Sequence, residues 1–572
     1  MVSVLVPAIV TGPLEPQLVR LSLGQLLQEQ ATTYPDQQAV ISSWTGVRYT
    51  YRQLLDRCKT IARALIALGV KRGDRVGILS GNCERYIELF FATTLIGGIV
   101  VVLNNTYTPK ECINALDHSG CRLLFTSTQI GKKSMLPHLE VLASVRWDGK
   151  TVLSYLKNVI LIRSLEQPIG ESTMSYDEFI MQGAFIKDEL DFQIKSTHFM
   201  DVANLQYTSG TTGQPKAAML THHNIINNGR FIGNRMKLTR DDVICCPPPL
   251  FHCFGLVLGL LACFTHGASL VLPNESFEPA GVIEALIKEN CTGLHGVPTM
   301  FIAELDYLRQ HKIAGIALRT GIAAGSPVSP ALMTRLQQVF GLRDLTITYG
   351  MTETSPASFM TSIDDALEEK LSTVGRILPH TTAKVVNMNN EIVPFGTAGE
   401  LVVAGYNLQV GYFNDPEKTK EVMVKDGAGV LWMRTGDEVV LDERGYCKIT
   451  GRIKDIIIRG GENIYPLEVE ERLTQHPAII QAAVVGLQDQ KYGEIPAAFL
   501  EPDISVQRPL DSQLQDWVRL TLGRHKVPVK LFWLGDVGVC HVFPTTGSGK
   551  LKKNELRDLG NKLISLELHR ST

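Results

Sequence analysis

The 572-residue sequence has no surplus of either charge. Its 56 lysines and arginines face 58 aspartates and glutamates, a formal net charge of −2. A polyanion has no global counter-charge to hold, which argues against nucleic acid as a main partner. Any phosphate site must be assembled locally. Metal-like cysteine spacing is also missing. Eleven cysteines are scattered, Cys245 and Cys246 are adjacent, and no C-x-x-C pair occurs. An odd cysteine count in so long a chain speaks against a secreted disulfide framework. The expectation is reduced, mostly buried thiols in an intracellular protein. No basic segment precedes the short apolar stretch at the N-terminus, and Arg-rich transit character is absent. The C-terminal His569-Arg570-Ser571-Thr572 is not an S-K-L type address. The cytosol is therefore the expected compartment, with peroxisome and mitochondrion left open. Uninterrupted apolar runs are lacking too. Leu89 to Leu103 is short and broken by Gly97-Gly98, and Phe254 to Leu272 holds His266-Gly267 in its middle. Each predicts a buried helix followed by a buried strand, not a membrane span. There are no internal repeats and no low-complexity tract.

What is present is an ordinary globular composition, 44% hydrophobic and 20% charged. The length allows three to four domain-sized units. From Tyr51 to Leu68 the residues Leu54, Leu55, Cys58, Ile61, Ala62, Leu65 and Leu68 recur at helical spacing, and Thr50 with Gln53 forms a capping-box pattern. A turn at Lys71-Arg72-Gly73-Asp74 and a strand from Val76 to Leu79 follow. Helix, turn and buried strand in succession predict crossover units around a parallel sheet. The pattern recurs with helices at 254–265 and 280–289 and strands at 268–272, 293–297 and 345–349. From Ala383 to Tyr412 it becomes β-rich, with Gly396, Gly399, Gly405 and Gly411 as punctuation, as in a small antiparallel barrel or sheet. Near Arg452 the organisation changes to α+β. The prediction there is a strand from Ile456 to Ile458, a helix opening at Pro466, a strand over 479–485, a helix over 514–522 and a strand over 530–534.

Five motifs carry chemistry. An apolar strand, Val202 to Leu205, feeds Tyr207-Thr208-Ser209-Gly210-Thr211-Thr212-Gly213-Gln214-Pro215-Lys216. Glycines permit close backbone approach, successive N–H groups make an anion-binding concavity, hydroxyls add donors and Lys216 adds a point charge. The Walker A spacing is absent. The others are Tyr349-Gly350-Met351-Thr352-Glu353 at a strand end, Trp432-Met433-Arg434-Thr435-Gly436-Asp437, the run from Gly451 to Glu468, and Pro544 to Lys550. Each alone reads as a turn or hairpin; their order is what is informative.

In that order the motifs resemble the adenylate-forming superfamily of acyl-CoA synthetases, firefly luciferases and peptide-synthetase adenylation domains, over about Thr50 to Lys553. The resemblance implies an α/β fold: a large N-terminal domain of stacked βαβ sheets with a small β-barrel, and a smaller, mobile α+β C-terminal domain. The boundaries would be 1–452, a hinge at 453–456, and 457–572. It implies that Thr208, Ser209, Gly210, Thr211, Thr212, Gly213 and Lys216 wrap the ATP β- and γ-phosphates. Gly325 and Ser326 would line the adenine, Tyr349 with Gly350 would stack on it, and Thr352 would contact the α-phosphate. Glu353, with Thr208, would hold Mg²⁺. Asp437 would accept both ribose hydroxyls, and Arg452 would reach ribose or phosphate. Lys454 would be the pivot, and Gly460 and Gly461 would help form a pantetheine tunnel for coenzyme A. Lys550 would reach the α-phosphate and the substrate carboxylate, and His252 would gate the acyl pocket, with Val297-Pro298-Thr299 lining it. Two departures touch no required group: Ala217 replaces a common glycine, and Lys552-Lys553 stands where arginine is usual.

The expected activity is carboxylate, ATP and coenzyme A to acyl-CoA, AMP and diphosphate through an acyl-adenylate. The apolar Phe251 to Leu261 region suggests a medium-length acyl chain or an aryl acid. The alternative is an acyl-AMP ligase that loads a carrier-protein thiol, in trans, in secondary-metabolite biosynthesis. The span from Glu353 to Asp437 shows no obvious insertion, which favours coenzyme A. A luciferase-like oxygenase is a rarer outcome, and a binding protein without activity is opposed by intact Lys216, Glu353, Asp437 and Lys550.

Overall fold

The computed structural model describes residues 6–147, 153–163, 173–186, 188–208, 216–325, 328, 330–547 and 549–571. Two large sheets form the body. The first runs in the order Thr173–Ser175, Asn158–Arg163, Leu123–Ser127, Arg75–Leu79, Ile99–Val102, Val202–Thr208, Lys216–Thr221, parallel except for its last strand. The second has nine strands. A parallel centre (Asp344–Gly350, Thr320–Ala324, Gly293–Gly296, Val243–Cys245, Ser269–Leu272, Gln38–Ser42) carries antiparallel strands at both edges. Both sheets bury both faces, as parallel strands require. One apolar core lies between them. It joins Val76, Ile78, Val100 and Phe125 of the first sheet to Val40, Ile244, Leu270 and Ile322 of the second, through intervening helices. Separate cores cover the outer faces.

The helix Tyr51–Ala67 shows how the sequence builds this layer. Gln53 N donates to Thr50 Oγ1 at 3.3 Å and Thr50 N donates to Gln53 Oε1 at 2.9 Å, a reciprocal cap. Leu54, Cys58, Ile61, Ala62 and Leu65 are fully buried, and Tyr51 OH donates to Ala268 O at 2.7 Å, tying the helix to the second sheet.

The predicted helix over 254–265 takes a different form. Phe254–Leu261 is a π-helix, followed by a short α-helical turn, Ala262–Phe264. Its glycines are closely packed. A Cβ on Gly255 would lie 2.4 Å from Pro249 O, and one on Gly259 would lie 2.4 Å from Cys246 Sγ. Glycine admits that approach, and the wider coil accommodates it. Among the described residues no helix is long and apolar enough to cross a membrane.

The third sheet is antiparallel, in the order Ile9–Thr11, Thr381–Val386, Gly399–Gly405, Leu431–Leu441, Met423–Lys425, with Cys447–Arg452 also on Leu431–Leu441. It surrounds its own core of Val385, Leu401, Val403, Met433, Val439 and Leu441. Among the described residues no ladder joins its ends, so the barrel is open. Beyond a 3-10 turn, Ile453–Asp455, a fourth sheet of Glu462–Ile464, Ile457–Arg459, Gly493–Pro502, Ile479–Asp489 and Lys530–Trp533 carries the helices Pro466–Thr474 and Asp511–Arg519. These match the α+β expectation, with the first strand and the second helix shifted by one to three residues.

One core residue departs from ordinary chemistry. Glu304, in the helix Pro298–His311, is fully buried and neither carboxyl oxygen has a hydrogen-bond partner among the described residues. Burial holds its pKa well above the usual carboxylate range. As pH rises past the normal carboxylate value the unfolded chain loses this proton and the folded chain keeps it, so stability is lost with rising pH. Glu304→Met is therefore expected to raise stability by about 1–3 kcal/mol, and by more at pH 8 than at pH 5. Thermal melts at both pH values check this, and a melt lowered at both would refute it.

Candidate active site

The site lies where ligands bind in open α/β sheets, beyond the carboxyl ends of the strands. Thr208, Val297, Gly325 and Gly350 all stand at or just past such ends. The antiparallel register pairs Thr208 with Lys216, so the phosphate-loop motif is the connection of a hairpin pinned at its base. Ser209, Gly210, Thr211, Thr212 and Gly213 fall outside the described residues, as does Ser326. Gly325 has φ +90°, a conformation that favours glycine.

Asp437 is placed by a bulge. Glu400 pairs with Glu438 but Val402 pairs with Arg434, so the partner strand has two residues fewer across Thr435-Gly436-Asp437. Bulges re-aim side chains, and here the whole motif belongs to one long strand instead of the turn its residues suggest. Asp437 is 6% exposed. Its Oδ2 accepts from Tyr349 OH at 2.6 Å and its Oδ1 accepts from Arg452 Nε at 3.0 Å. Arg452 is its cross-strand partner, and the Asp437 carboxylate raises the arginine's pKa.

Gly350 has no alternative, since a Cβ there would lie 1.8 Å from Pro356 O. After it, Glu353 sits in the 3-10 turn Thr352–Thr354, 6% exposed. The turn is anchored from one segment. Ser355 Oγ donates to Asn407 O at 2.7 Å, Asn407 Nδ2 to Thr354 O at 3.2 Å, and Gln409 N to Glu353 O at 2.9 Å. Tyr412 OH donates to Glu353 Oε1 at 2.7 Å, and the Lys216 ammonium stands 5.2 Å from the Tyr412 ring centroid. Sequence reading missed Gln409 and Tyr412; the only available signal was Gly411, noted merely as punctuation.

The C-terminal module contributes Lys550. Its loop closes on itself, Thr546 N donating to Lys550 O at 2.7 Å and Lys550 N to Thr546 Oγ1 at 3.1 Å. A Cβ on Gly549 would lie 3.1 Å from Val297 Cγ2, and one on Gly325 would lie 4.0 Å from Lys550 Cε. The lysine thus enters the body from a separate sheet. Burial lowers its pKa and Arg452 lowers it further, while Asp437, Glu353 and Cys253 oppose the shift. Lys550 therefore shares one electrostatic field with Asp437, Glu353 and Arg452.

His252 meets the same field. Burial, then Lys550, push its pKa down to about 3, and its Nδ1 accepts from Phe254 N at 3.2 Å. It is a neutral imidazole at physiological pH. Burial pushes the neighbouring Cys253 thiol, against Thr352, up to about 12, so it is no nucleophile. His295, also missed in the sequence, is buried and donates from Nε2 to Leu258 O of the π-helix at 3.1 Å.

Two expected site regions lie elsewhere in this arrangement. Lys454 is exposed in the 3-10 turn Ile453–Asp455. Gly460 and Gly461, at φ +59° and +91°, make the exposed turn of the hairpin Ile457–Arg459/Glu462–Ile464, with Gly460 N donating to Tyr492 O at 2.8 Å. The atom nearest a Cβ on Gly460 would be Tyr492 Cδ1 at 3.5 Å, in the turn between two strands of their own sheet.

Among the described residues no group of three or more His, Cys, Asp or Glu side chains could hold a metal ion. Glu353, with one oxygen engaged by Tyr412, still fits a hard divalent cation whose remaining ligands come from phosphate and water.

A protein-family model described as AMP-binding enzyme matches residues 27–413, and its C-terminal domain model matches 468–550. The chain belongs to this family of adenylate-forming enzymes. It is 50% identical over 566 residues to the acyl-CoA ligase sidI of Aspergillus fumigatus, covering 98% of this chain and 95% of that one. It is 36% identical over 567 residues to the mitochondrial medium-chain acyl-CoA ligase ACSF2 of Danio rerio, covering 95% and 89%. The fold matches the crystal structure of the anthranilate CoA ligase AuaEII with anthranoyl-AMP at a TM-score of 0.82 and 23% identity, covering 96% and 98%. The chain is an AMP-forming acyl-CoA ligase, an acid–thiol ligase that works through an acyl-adenylate.

Proposed function

We propose that this ligase activates an apolar carboxylic acid of medium chain length, or a similar aryl acid, at the junction of Lys550 with the Tyr349–Asp437–Arg452 and Glu353–Tyr412 pairs. The observation that carries the reading is the entry of Lys550, from the C-terminal sheet, beside Gly325 and Val297 of the body. The acid is already ionised at neutral pH, so the first step needs no base. A carboxylate oxygen attacks the α-phosphorus, an O–P bond forms, and diphosphate leaves with the electron pair of the bond that breaks. Two anions must meet, so the work is electrostatic and positional. Lys550 holds the carboxylate and α-phosphate together. Asp437 and Tyr349 fix the ribose and adenine, with Gly325 and Ser326 beside the base. Thr208, Ser209, Gly210, Thr211, Thr212, Gly213 and Lys216 steady the leaving diphosphate. Glu353, with Thr208, would hold Mg²⁺, which would supply charge neutralisation on the phosphates. The coenzyme A thiol then attacks the acyl carbon and AMP leaves.

The buried π-helix Phe254–Leu261 supports an apolar acid, with neutral His252 at its head and His295 beside it. The name of the ACSF2 relative supports medium chain length. The relatives named acyl-CoA ligase favour coenzyme A over a carrier-protein thiol, and the sidI relative leaves a role in secondary metabolism as the second reading. Eleven free cysteines support a reducing compartment, which we take to be the cytosol. ATP–diphosphate exchange over a panel of acids graded in length and polarity tests the substrate. Exchange confined to short polar acids would overturn it.

We further propose that the body is 1–452, that 453–456 is the hinge, and that 457–572 rotates about Lys454 to bring Gly460 and Gly461 to a pantetheine tunnel for the thioester step. Lys454→Pro is expected to slow thioester formation about tenfold or more while leaving adenylation within about threefold, since proline fixes the φ that must change. Separate half-reaction assays that show equal losses would remove the hinge assignment.

A further inference from the structure

The segment 409–412 grips Glu353 twice. Gln409 N holds its carbonyl at 2.9 Å, and Tyr412 OH holds its Oε1 at 2.7 Å. Tyr412 is itself fixed by backbone. It bridges to Ala218, Met219 N donates to Gly411 O at 2.9 Å, Phe413 N donates to Ala217 O at 2.8 Å, and Tyr412 N donates to Thr419 Oγ1 at 2.9 Å. The strand it bridges to, Lys216–Thr221, begins with the lysine that ends the phosphate-loop motif, and that ammonium lies over the Tyr412 ring. One side chain, 5% exposed, therefore meets two groups of the proposed nucleotide machinery, Glu353 at its hydroxyl and Lys216 over its ring. A phenol keeps its proton at neutral pH and a carboxylate oxygen only accepts, so the hydroxyl donates and Oε1 accepts.

We infer that Tyr412 is a positioning residue for the divalent-cation site. It occupies one oxygen of Glu353, leaves the other to face the cation, and keeps Lys216 in register with that carboxylate. A donor behind a ligand carboxylate fixes its orientation, and losing such a partner typically weakens metal affinity about 10–100-fold. This inference rests on the reading of Glu353 as the cation's protein ligand.

Tyr412→Phe in the full-length enzyme tests it, because the ring over which Lys216 sits is retained and only the hydroxyl is lost. The Mn²⁺ affinity of the complex with α,β-methylene-ATP, read by electron paramagnetic resonance, is expected to fall about tenfold. The Mg²⁺ concentration for half-maximal ATP–diphosphate exchange should rise in parallel, while KM for the acid and the melting temperature of the nucleotide-free enzyme stay close to wild type. Unchanged Mn²⁺ affinity would overturn the inference, and so would equal losses in acid KM and stability, which a merely structural hydroxyl would produce. Glu353→Gln separates the two layers. If it abolishes Mn²⁺ binding while Tyr412→Phe leaves it intact, only the role of Tyr412 fails. If Glu353→Gln also leaves Mn²⁺ binding intact, the assignment of Glu353 fails with it.

Discussion

Lys550→Ala is expected to lower acyl-adenylate formation by about 10²–10³-fold, or roughly 3–4 kcal/mol of transition-state stabilisation, and to leave thioester formation from supplied acyl-AMP largely intact. The asymmetry follows from where the lysine comes from. Its loop belongs to the C-terminal module and is seated between Val297 and Gly325 of the body. It faces Asp437, Glu353 and Arg452 in a buried field that already lowers its pKa. In the first step two anions must approach, and removing the Lys550 ammonium leaves their repulsion less compensated at that point. In the second step the electrophile is already formed and the nucleophile is a thiol. Separate measurement of ATP–diphosphate exchange and of acyl-CoA release from synthetic acyl-AMP checks this. Equal loss in both steps would contradict it.

Asp437→Asn should behave differently, reducing both half-reactions by about 100-fold, about 2.7 kcal/mol in kcat/KM. Asp437 belongs to the body and would hold the same ribose in ATP and in acyl-AMP, so its loss is expected in both steps. The physical reason is acceptor count. The carboxylate already receives Tyr349 OH on Oδ2 and Arg452 Nε on Oδ1, and its remaining lone pairs are those left for ribose hydroxyls. An amide turns one oxygen into a donor that faces other donors. The loss should appear mainly in KM for ATP and in the affinity for AMP, measured by calorimetry. Unchanged AMP affinity would remove Asp437 from the nucleotide site. Side by side, the two variants distinguish a group needed for one half-reaction from a group needed for both.

Most residues of the candidate site are singled out by the sequence alone. Tyr349, Glu353, Asp437, Arg452 and Lys550 were identified from ordered motifs, and the structure brings them into one neighbourhood. The reason is chemical: phosphate, cation and ribose recognition demand particular side chains, so identity survives as text. The β-rich stretch, the change of organisation near Arg452 and the capping box at Thr50 were legible for a similar reason, since turn glycines and local hydrogen bonds act over a few residues. Tyr412 and Gln409 were not legible. Their roles are set by contact with Glu353 across more than fifty positions, and nothing local to a tyrosine after a glycine announces such a partner. At Phe254 the sequence predicts an ordinary helix where the structure has a π-helix, because hydrophobic periodicity cannot distinguish coils that differ by which carbonyl accepts. At Gly255 and Gly259 this coil lies too close to Pro249 and Cys246 for any side chain, a tertiary contact that periodicity does not carry.

The chain's linear order thus settles the repertoire: an α/β body, a separate α+β tail, and the charged and glycine-rich groups for nucleotide chemistry. Packing settles which of those groups meet. The bulge at Thr435–Asp437 aims a carboxylate at Tyr349, the Ala218 bridge sets Tyr412 against Glu353, and the close fit of Gly549 on Val297 admits Lys550 from another module. Local patterns encode short-range preferences, whereas these juxtapositions are long-range contacts that exist only once the cores have formed around them.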